Sequence, residues 1–368
     1  MTRALPKRLD SIQCLRGIAA LLVLFFHLAE FQREMAVGNA ADIALTSGIW
    51  DRGWAGVDLF FVISGFIMVY VTRETGRSFG DVLRFVTSRI TRIYPLWWVC
   101  AGIMMVYFWV TYGIPAAPDR IAGPNEAVTY ALKSILLIPQ DAPPILGLGW
   151  TLIHEMFFYL VFALILFLPK KYLLPALIAW ALLTVAGSFL IRPTAFGRNI
   201  PELMASPFSL EFIAGGIAGW LVSKGRFAAP HLCFYGGAML AILGFVAFPQ
   251  NGALSHTVLR VAIFTLPFAL LVYGAAGREF SAGKLYPLWL TRLGDWSYSL
   301  YLTHYIVLVT LRRIYRMAAP DRLKVGAEGA LDNIVFTVLA LAISIVTAAI
   351  FYTIIERAAV KFFKQRRV

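Results

Sequence analysis

Charge is scarce in this chain. Asp, Glu, Lys and Arg together make up 14% of its 368 residues, where an ordinary soluble domain carries about 25%. Cysteine is almost missing as well. Cys14, Cys100 and Cys233 stand far apart with no CxxC spacing, which argues against a zinc site or a disulfide framework. There is no internal repeat and no low-complexity segment. These absences exclude an ordinary cytosolic enzyme, a disordered protein and a secreted disulfide scaffold.

What is present is apolar. Hydrophobic residues account for 60% of the chain, and the mean hydropathy is +0.73. Lipid is the natural solvent for such a composition. The formal net charge is nonetheless +13. In a soluble protein that balance would raise nucleic acid as a partner. In a membrane protein the positive-inside rule accounts for it, and no nucleic-acid partner is expected. The N-terminus imitates a signal peptide, with Arg3, Lys7 and Arg8 before an apolar run from Ile18 to Phe26. No small-residue cleavage site follows, so it reads as an uncleaved first span.

The hydropathy pattern predicts an all-α, polytopic membrane protein with about ten spans. They fall near 12–31, 54–72, 93–113, 149–168, 172–191, 206–223, 231–248, 257–276, 296–314 and 332–355. The apolar stretch 127–139 is too short to span and reads as re-entrant or interfacial. With both termini cytoplasmic, the inner segments hold 21 of the 33 Lys and Arg residues, as the positive-inside rule requires. The basic stretch 312–324 opposes this orientation.

Titratable groups inside spans are costly, and each is a functional candidate. Arg16 and His27 share the first span. Eleven residues of helix separate them by roughly 16 Å and return to nearly the same face. A long ligand entering from the cytoplasm could touch both. Asp58 in GWAGVDLFFVISGF is expected near the depth of His27, where a carboxylate could orient the imidazole. The alternative is a carboxylate favouring a helix N-terminus. GWTLIHEMFFY supplies His154 and Glu155. They point about 100° apart, so one of the two is expected to face the centre. HExxH zinc chemistry fails for lack of a second histidine, and no metal is expected. Glu211 lies in SLEFIAGGIAGW, whose small residues suggest close helix packing. Four helices delivering one such group each to one level predict a single polar chamber. His304, in WSYSLYLTHY, either lines the same cavity or is a packing histidine. Arg89 and Arg92 in RITRIYPLWW share a helical face and suit a bidentate phosphate clamp. The plain alternative is the basic and aromatic belt of a membrane interface.

The chain resembles the membrane-bound acyltransferase-3 family, in particular its exopolysaccharide-modifying branch. The likeness rests on SIQCLRGIAALLVLFFH, GVDLFFVISGFIMVYVT, RITRIYPLWW, GWTLIHEMFFY and LGDWSYSLYLTHYIV, in this order over essentially the whole chain. It implies ten helices in a bacterial inner membrane, and acyl transfer from cytoplasmic acyl-CoA, expectedly acetyl-CoA, to an extracytoplasmic glycan or lipid-linked oligosaccharide. The family's arginine–x10–histidine motif falls on Arg16 and His27, and its arginine–x–x–arginine motif on Arg89 and Arg92. A soluble esterase-like C-terminal domain, common in the family, is not expected, so residues 1–368 form one transmembrane domain. The implied mechanism has Arg89, Arg92 and Arg16 on the CoA phosphates and His27 as general base, oriented by Asp58 or Glu155. Ser64, Tyr159 or Trp150 would stabilise the oxyanion. Trp150, His154, Glu211 and His304 are further candidates for substrate contact. Direct transfer is preferred over an acyl-histidine intermediate. The rival reading is a transporter or flippase for a glycan or lipid-linked sugar. The sequence carries no matched pair of broken helices to favour it.

Overall fold

The computed structural model describes residue 6 and residues 8–35, 48–121, 123–225, 227–248, 257–283, 286–318 and 330–365. Among these the chain is helical without strands. In chain order the helices are α1 (Asp10–Met35), α2 (Gly56–Val71), α3 (Phe79–Tyr112), α4 (Pro124–Leu136), α5 (Gly149–Leu166), α6 (Leu173–Ile191), α7 (Ile200–Met204), α8 (Phe208–Ser223) and α9 (Pro230–Ala247). They continue with α10 (Thr257–Ala282), α11 (Leu288–Asp295), α12 (Ser297–Ala318), α13 (Ala330–Phe351) and α14 (Arg357–Gln365). A π-helical turn, Tyr352–Glu356, joins the last two.

Each expected span falls on a helix. Among the described residues, eight stretches are long and apolar enough to cross a membrane. The other two expected spans fall on α8, which is apolar but only 16 residues long, and on α12, which carries Arg312, Arg313 and Arg316 at one end. The protein is thus an all-helical, multi-pass membrane protein.

The third helix departs from expectation. It starts 14 residues before the predicted span, because Ser78 and Asp81 form a reciprocal capping box. The Ser78 Oγ accepts from the Asp81 N–H at 3.2 Å, and Asp81 accepts from the Ser78 N–H at 3.1 Å. Two otherwise unsatisfied donors are thereby paired. The consequence matters for the site: Arg89 and Arg92 sit within a continuous helix. The stretch 127–139 forms the short helix α4. The indoles of Trp97 and Trp98 donate to its last carbonyls, at Ser134 and Ile135.

The seam between α2 and α8 is built on glycine. A methyl added at Gly65 would lie 1.8 Å from the Phe212 carbonyl, and one at Gly215 the same distance from the Val62 carbonyl. The small residues in SLEFIAGGIAGW therefore let two backbones touch. The opposed basic stretch 312–324 is partly explained. Arg312 pairs with Glu34 at the end of α1, and Arg313 donates to Thr111 Oγ1 at 2.6 Å. Residues 319–324 lie outside the described residues, as do 36–47 of the expected loop 31–53.

Candidate active site

Two cavities meet at three arginines. The inner one, about 720 Å³, runs between α1, α2, α3, α5 and α12. The outer one, a vestibule of about 1150 Å³, is walled by α1, α3, the π turn and α14. Arg16, Arg89 and Arg92 line both. The three residues picked out by spacing in two separate motifs therefore form one throat.

Among the described residues none of the three makes a direct ion pair, although Glu155, Glu356 and Asp295 lie near enough to act on them. Arg16 is 8% exposed and donates to Gln13 Oε1 at 3.0 Å. Arg89 lies over the rings of Phe85 and Tyr159, at 5.4 and 5.9 Å, and its buried Nε has no hydrogen-bond partner. Guanidinium groups held over aromatic faces keep their planar fork free for oxyanions.

Beyond the throat, Glu155 lines the inner cavity. It accepts from Ser64 Oγ at 2.9 Å and from the Tyr159 hydroxyl. Of the expected pair, Glu155 therefore faces the centre and His154 does not. Ser64 and Tyr159 stand in the cavity wall as expected for donors, and Trp150 does not. Phe60 and Tyr301 also line this cavity, with ring centroids 5.9 Å apart. The Tyr301 hydroxyl is held by Thr151 Oγ1 at 2.8 Å.

His27, on the same helix as Arg16, lines neither cavity. Its Nδ1 is 2.8 Å from Glu30 Oε2. A carboxylate only accepts, so in the neutral imidazole Nδ1 carries the proton and Nε2 the lone pair. The His304 ring lies 5.4 Å from that of His27 and 6.2 Å from that of Tyr301. His304 is fully buried, with Nδ1 2.9 Å from the Leu300 carbonyl and Nε2 unpartnered. It too presents a bare ring nitrogen.

The expected partners of His27 are placed otherwise. Asp58 does not sit against the imidazole. Both of its oxygens are taken by Arg260, with Nε at 2.8 Å from Oδ1 and Nη2 at 2.5 Å from Oδ2. Arg260 also donates to the Trp54 carbonyl at 3.2 Å and stacks on the Trp54 ring at 4.4 Å. Glu211 is fully buried beside this pair. Glu155 serves the cavity rather than His27. His154 is enclosed by Phe61, Trp150, Phe158 and Phe208, its Nδ1 on the Trp150 carbonyl at 3.0 Å. The single polar chamber thus divides into three groups: the arginine throat with Glu155, the His27–His304 pair, and the Asp58–Arg260 pair with Glu211. The reason is that helix faces, rather than depth alone, decide which side chains meet.

The loop before α8 closes over the His154 packet. Gly197 adopts φ +64°, and a methyl there would lie 3.2 Å from His154 Cε1. Glu202 ties the loop down, accepting from Thr194 Oγ1 at 2.6 Å and Arg198 Nε at 2.9 Å. Burial pushes the Glu202 carboxyl upward, but the hydrogen bonds from Arg198 and Thr194 outweigh it and hold it at about 2. A depressed folded value contributes stability above the unfolded value of about 4.3, and that stability is lost as pH falls toward 2. Hydrogen exchange at 194–205 should therefore speed up between about pH 4.5 and 2. Glu202→Gln should be fast throughout that window. Equal protection of both proteins at every pH would sink this account.

The site is thus a cationic throat opening on a cavity within an all-helical membrane bundle, with the His27–Glu30 pair on the helix that carries Arg16. Comparison with known proteins identifies the class. The acyltransferase domain of the acyltransferase-3 family matches residues 9–353. The chain is 36% identical over 271 residues to the exopolysaccharide production protein ExoZ of Rhizobium meliloti, covering 68% of this chain and 75% of that one. It is 26% identical over 389 residues to the acyltransferase MdmB of Streptomyces mycarofaciens, covering 98% and 94%. A putative acetyltransferase, ORF330, of Acidianus two-tailed virus is 23% identical over 302 residues, covering 80% and 81%. No solved structure gives a significant match. The chain belongs to the acyltransferase-3 family and is a multi-pass membrane acyltransferase.

Proposed function

We propose that this enzyme is an O-acetyltransferase that takes its acyl group from acetyl-CoA on the cytoplasmic side and delivers it to a hydroxyl of an extracytoplasmic glycan. The observation that carries the reading is the throat. Arg16, Arg89 and Arg92 join an outer vestibule to an inner cavity, and the helix that supplies Arg16 supplies His27 at the other end. A clamp for phosphates and a base for a hydroxyl are thus mounted on one rigid element. The name of the ExoZ relative supports a polysaccharide acceptor, and that of ORF330 supports an acetyl group. The reading takes ten crossings, with both termini and the vestibule on the cytoplasmic side of a bacterial inner membrane. It assigns the whole reaction to one transmembrane domain.

In this reading the pantetheine arm passes the throat, the thioester lies in the inner cavity, and that cavity opens to His27 when the acceptor is in place. The acceptor oxygen attacks the thioester carbonyl as His27 Nε2 takes its proton. Glu30 holds the imidazole in the needed tautomer and stabilises the imidazolium, the role a buried carboxylate has in a hydrolase triad. Collapse of the tetrahedral intermediate breaks the C–S bond. The thiolate recovers the proton from His27 and leaves as CoA thiol. Ser64 and Tyr159 are the hydroxyl donors on the cavity wall, and they can turn from Glu155 to the developing oxyanion.

The donor half can be tested without knowing the acceptor. A hydrogen bond to a charged group contributes about 1.5–3 kcal/mol. The double variant Arg89→Ala, Arg92→Ala should therefore bind acetyl-CoA at least about 100-fold more weakly than the purified wild type. Equal affinity in a folded variant would remove the clamp. Failure of the wild type to bind any acyl-CoA would remove the function.

A further inference from the structure

The throat accounts for a pyrophosphate and leaves most of the vestibule unexplained. Its outer wall comes from a part of the chain that the chemistry above does not use: the π turn and α14. A π-helical turn inserts an extra residue into the helical register, and such turns concentrate at functional sites. Here the turn buries Glu356, which accepts from Ser299 Oγ at 2.8 Å. It also sets the helix that follows so that Arg357, Val360 and Phe363 all line the vestibule. These three are spaced three residues apart, on one face of α14. Arg357 makes no ion pair or hydrogen bond among the described residues, while Val360 and Phe363 are 43% and 39% exposed. A free guanidinium beside an open apolar and aromatic surface thus stands across the vestibule from the arginines of the throat.

We infer that the face Arg357–Val360–Phe363 of α14 is the subsite for the adenosine 3′-phosphate end of acyl-CoA, with Arg357 on the 3′-phosphate and Phe363 against the adenine. The inference rests on the acyl-CoA reading above. The chemistry of that donor demands two separated anion sites. The pyrophosphate and the 3′-phosphate are attached to different carbons of the ribose, so one cluster of cations does not serve both. Adenine, in turn, needs a flat apolar partner, and aromatic side chains supply one through stacking. Phosphate pairs bidentately with a guanidinium. The carboxylates of Asp295 and Glu356 on the same wall repel phosphate and confine it to the arginines. The subsite therefore distinguishes CoA thioesters from simpler thioesters that lack the nucleotide.

The test uses the full-length protein in a neutral detergent and three probes: acetyl-CoA, acetyl-3′-dephospho-CoA and acetyl-pantetheine. Wild type should bind acetyl-CoA about tenfold or more tightly than the dephospho form. Arg357→Ala should bind both with the affinity wild type has for the dephospho form, and Arg357→Lys should recover part of the difference. Phe363→Ala should weaken acetyl-CoA and acetyl-3′-dephospho-CoA by a similar factor and leave acetyl-pantetheine unchanged. The wild-type comparison needs no variant, so misfolding cannot imitate the expected result. Full discrimination retained by Arg357→Ala, or none in the wild type, overturns the subsite while leaving the acyl-CoA reading intact. Absence of binding of all three probes to the wild type overturns both.

Discussion

His27→Ala should lower acyl transfer by about 10²–10⁴, the usual contribution of a positioned general base, and leave acetyl-CoA binding unchanged. The separation follows from geometry. His27 lines neither the vestibule nor the inner cavity. The donor site is therefore complete without the imidazole. Glu30→Gln should give a smaller loss of transfer, again with intact binding. It keeps an acceptor near Nδ1 while removing the charge that stabilises the imidazolium. The measurement pairs acetyl content of the acceptor polysaccharide in cells with acetyl-CoA affinity of the purified variants. If His27→Ala loses binding as severely as Arg89→Ala, Arg92→Ala, the base and the clamp are not separate sites. The division of labour along α1 then fails.

Asp58→Ala should behave quite differently, as a folding defect. It would strand Arg260, 1% exposed, without its carboxylate. Breaking a buried ion pair from one side destabilises by about 3–5 kcal/mol, while replacing both partners with apolar residues is often neutral or stabilising. Asp58→Leu combined with Arg260→Met should therefore regain most of the lost stability in detergent unfolding. It should also bind acetyl-CoA with near wild-type affinity, since neither residue lines the inner cavity. A single Asp58→Ala variant of normal stability but no transfer activity would return Asp58 to the chemistry and contradict the placement described above.

How far the site could be read from the sequence depended on whether the partners are near in sequence. The three-residue spacing of Arg89 and Arg92 put them on one face, and the eleven-residue spacing of Arg16 and His27 kept the arginine and imidazole on one helix. Both relations follow from the period of the helix, and the structure keeps them. Ten apolar runs likewise predicted where helices fall. Asp58 was the instructive failure. Its partner lies 202 residues away, and no local period encodes such a pairing. A signal did exist: Arg260 is a lone cation in the apolar run TVLRVAIF, and a buried cation calls for a buried anion. Glu30 was equally visible, one helical turn from His27, but it was not among the candidates. Equal depth in the bilayer grouped Asp58, Glu211, His154 and His27 into a chamber that the rotation of each helix then took apart.

That the inner cavity reaches neither His27 nor His304 has a consequence for the cell rather than for the reaction. A bundle that holds three arginines on one side and two imidazoles on the other would, if open from end to end, be an anion-selective pore. Ions crossing it would run down the membrane potential, which is worth about 2.3 kcal/mol per unit charge for each 100 mV. In the structure the inner cavity, with Tyr301 in its wall pinned to Thr151, stops short of both imidazoles. On the proposed reading the bilayer then stays electrically tight while the acyl donor is bound. An enzyme that works between two compartments in this way must also be an insulator.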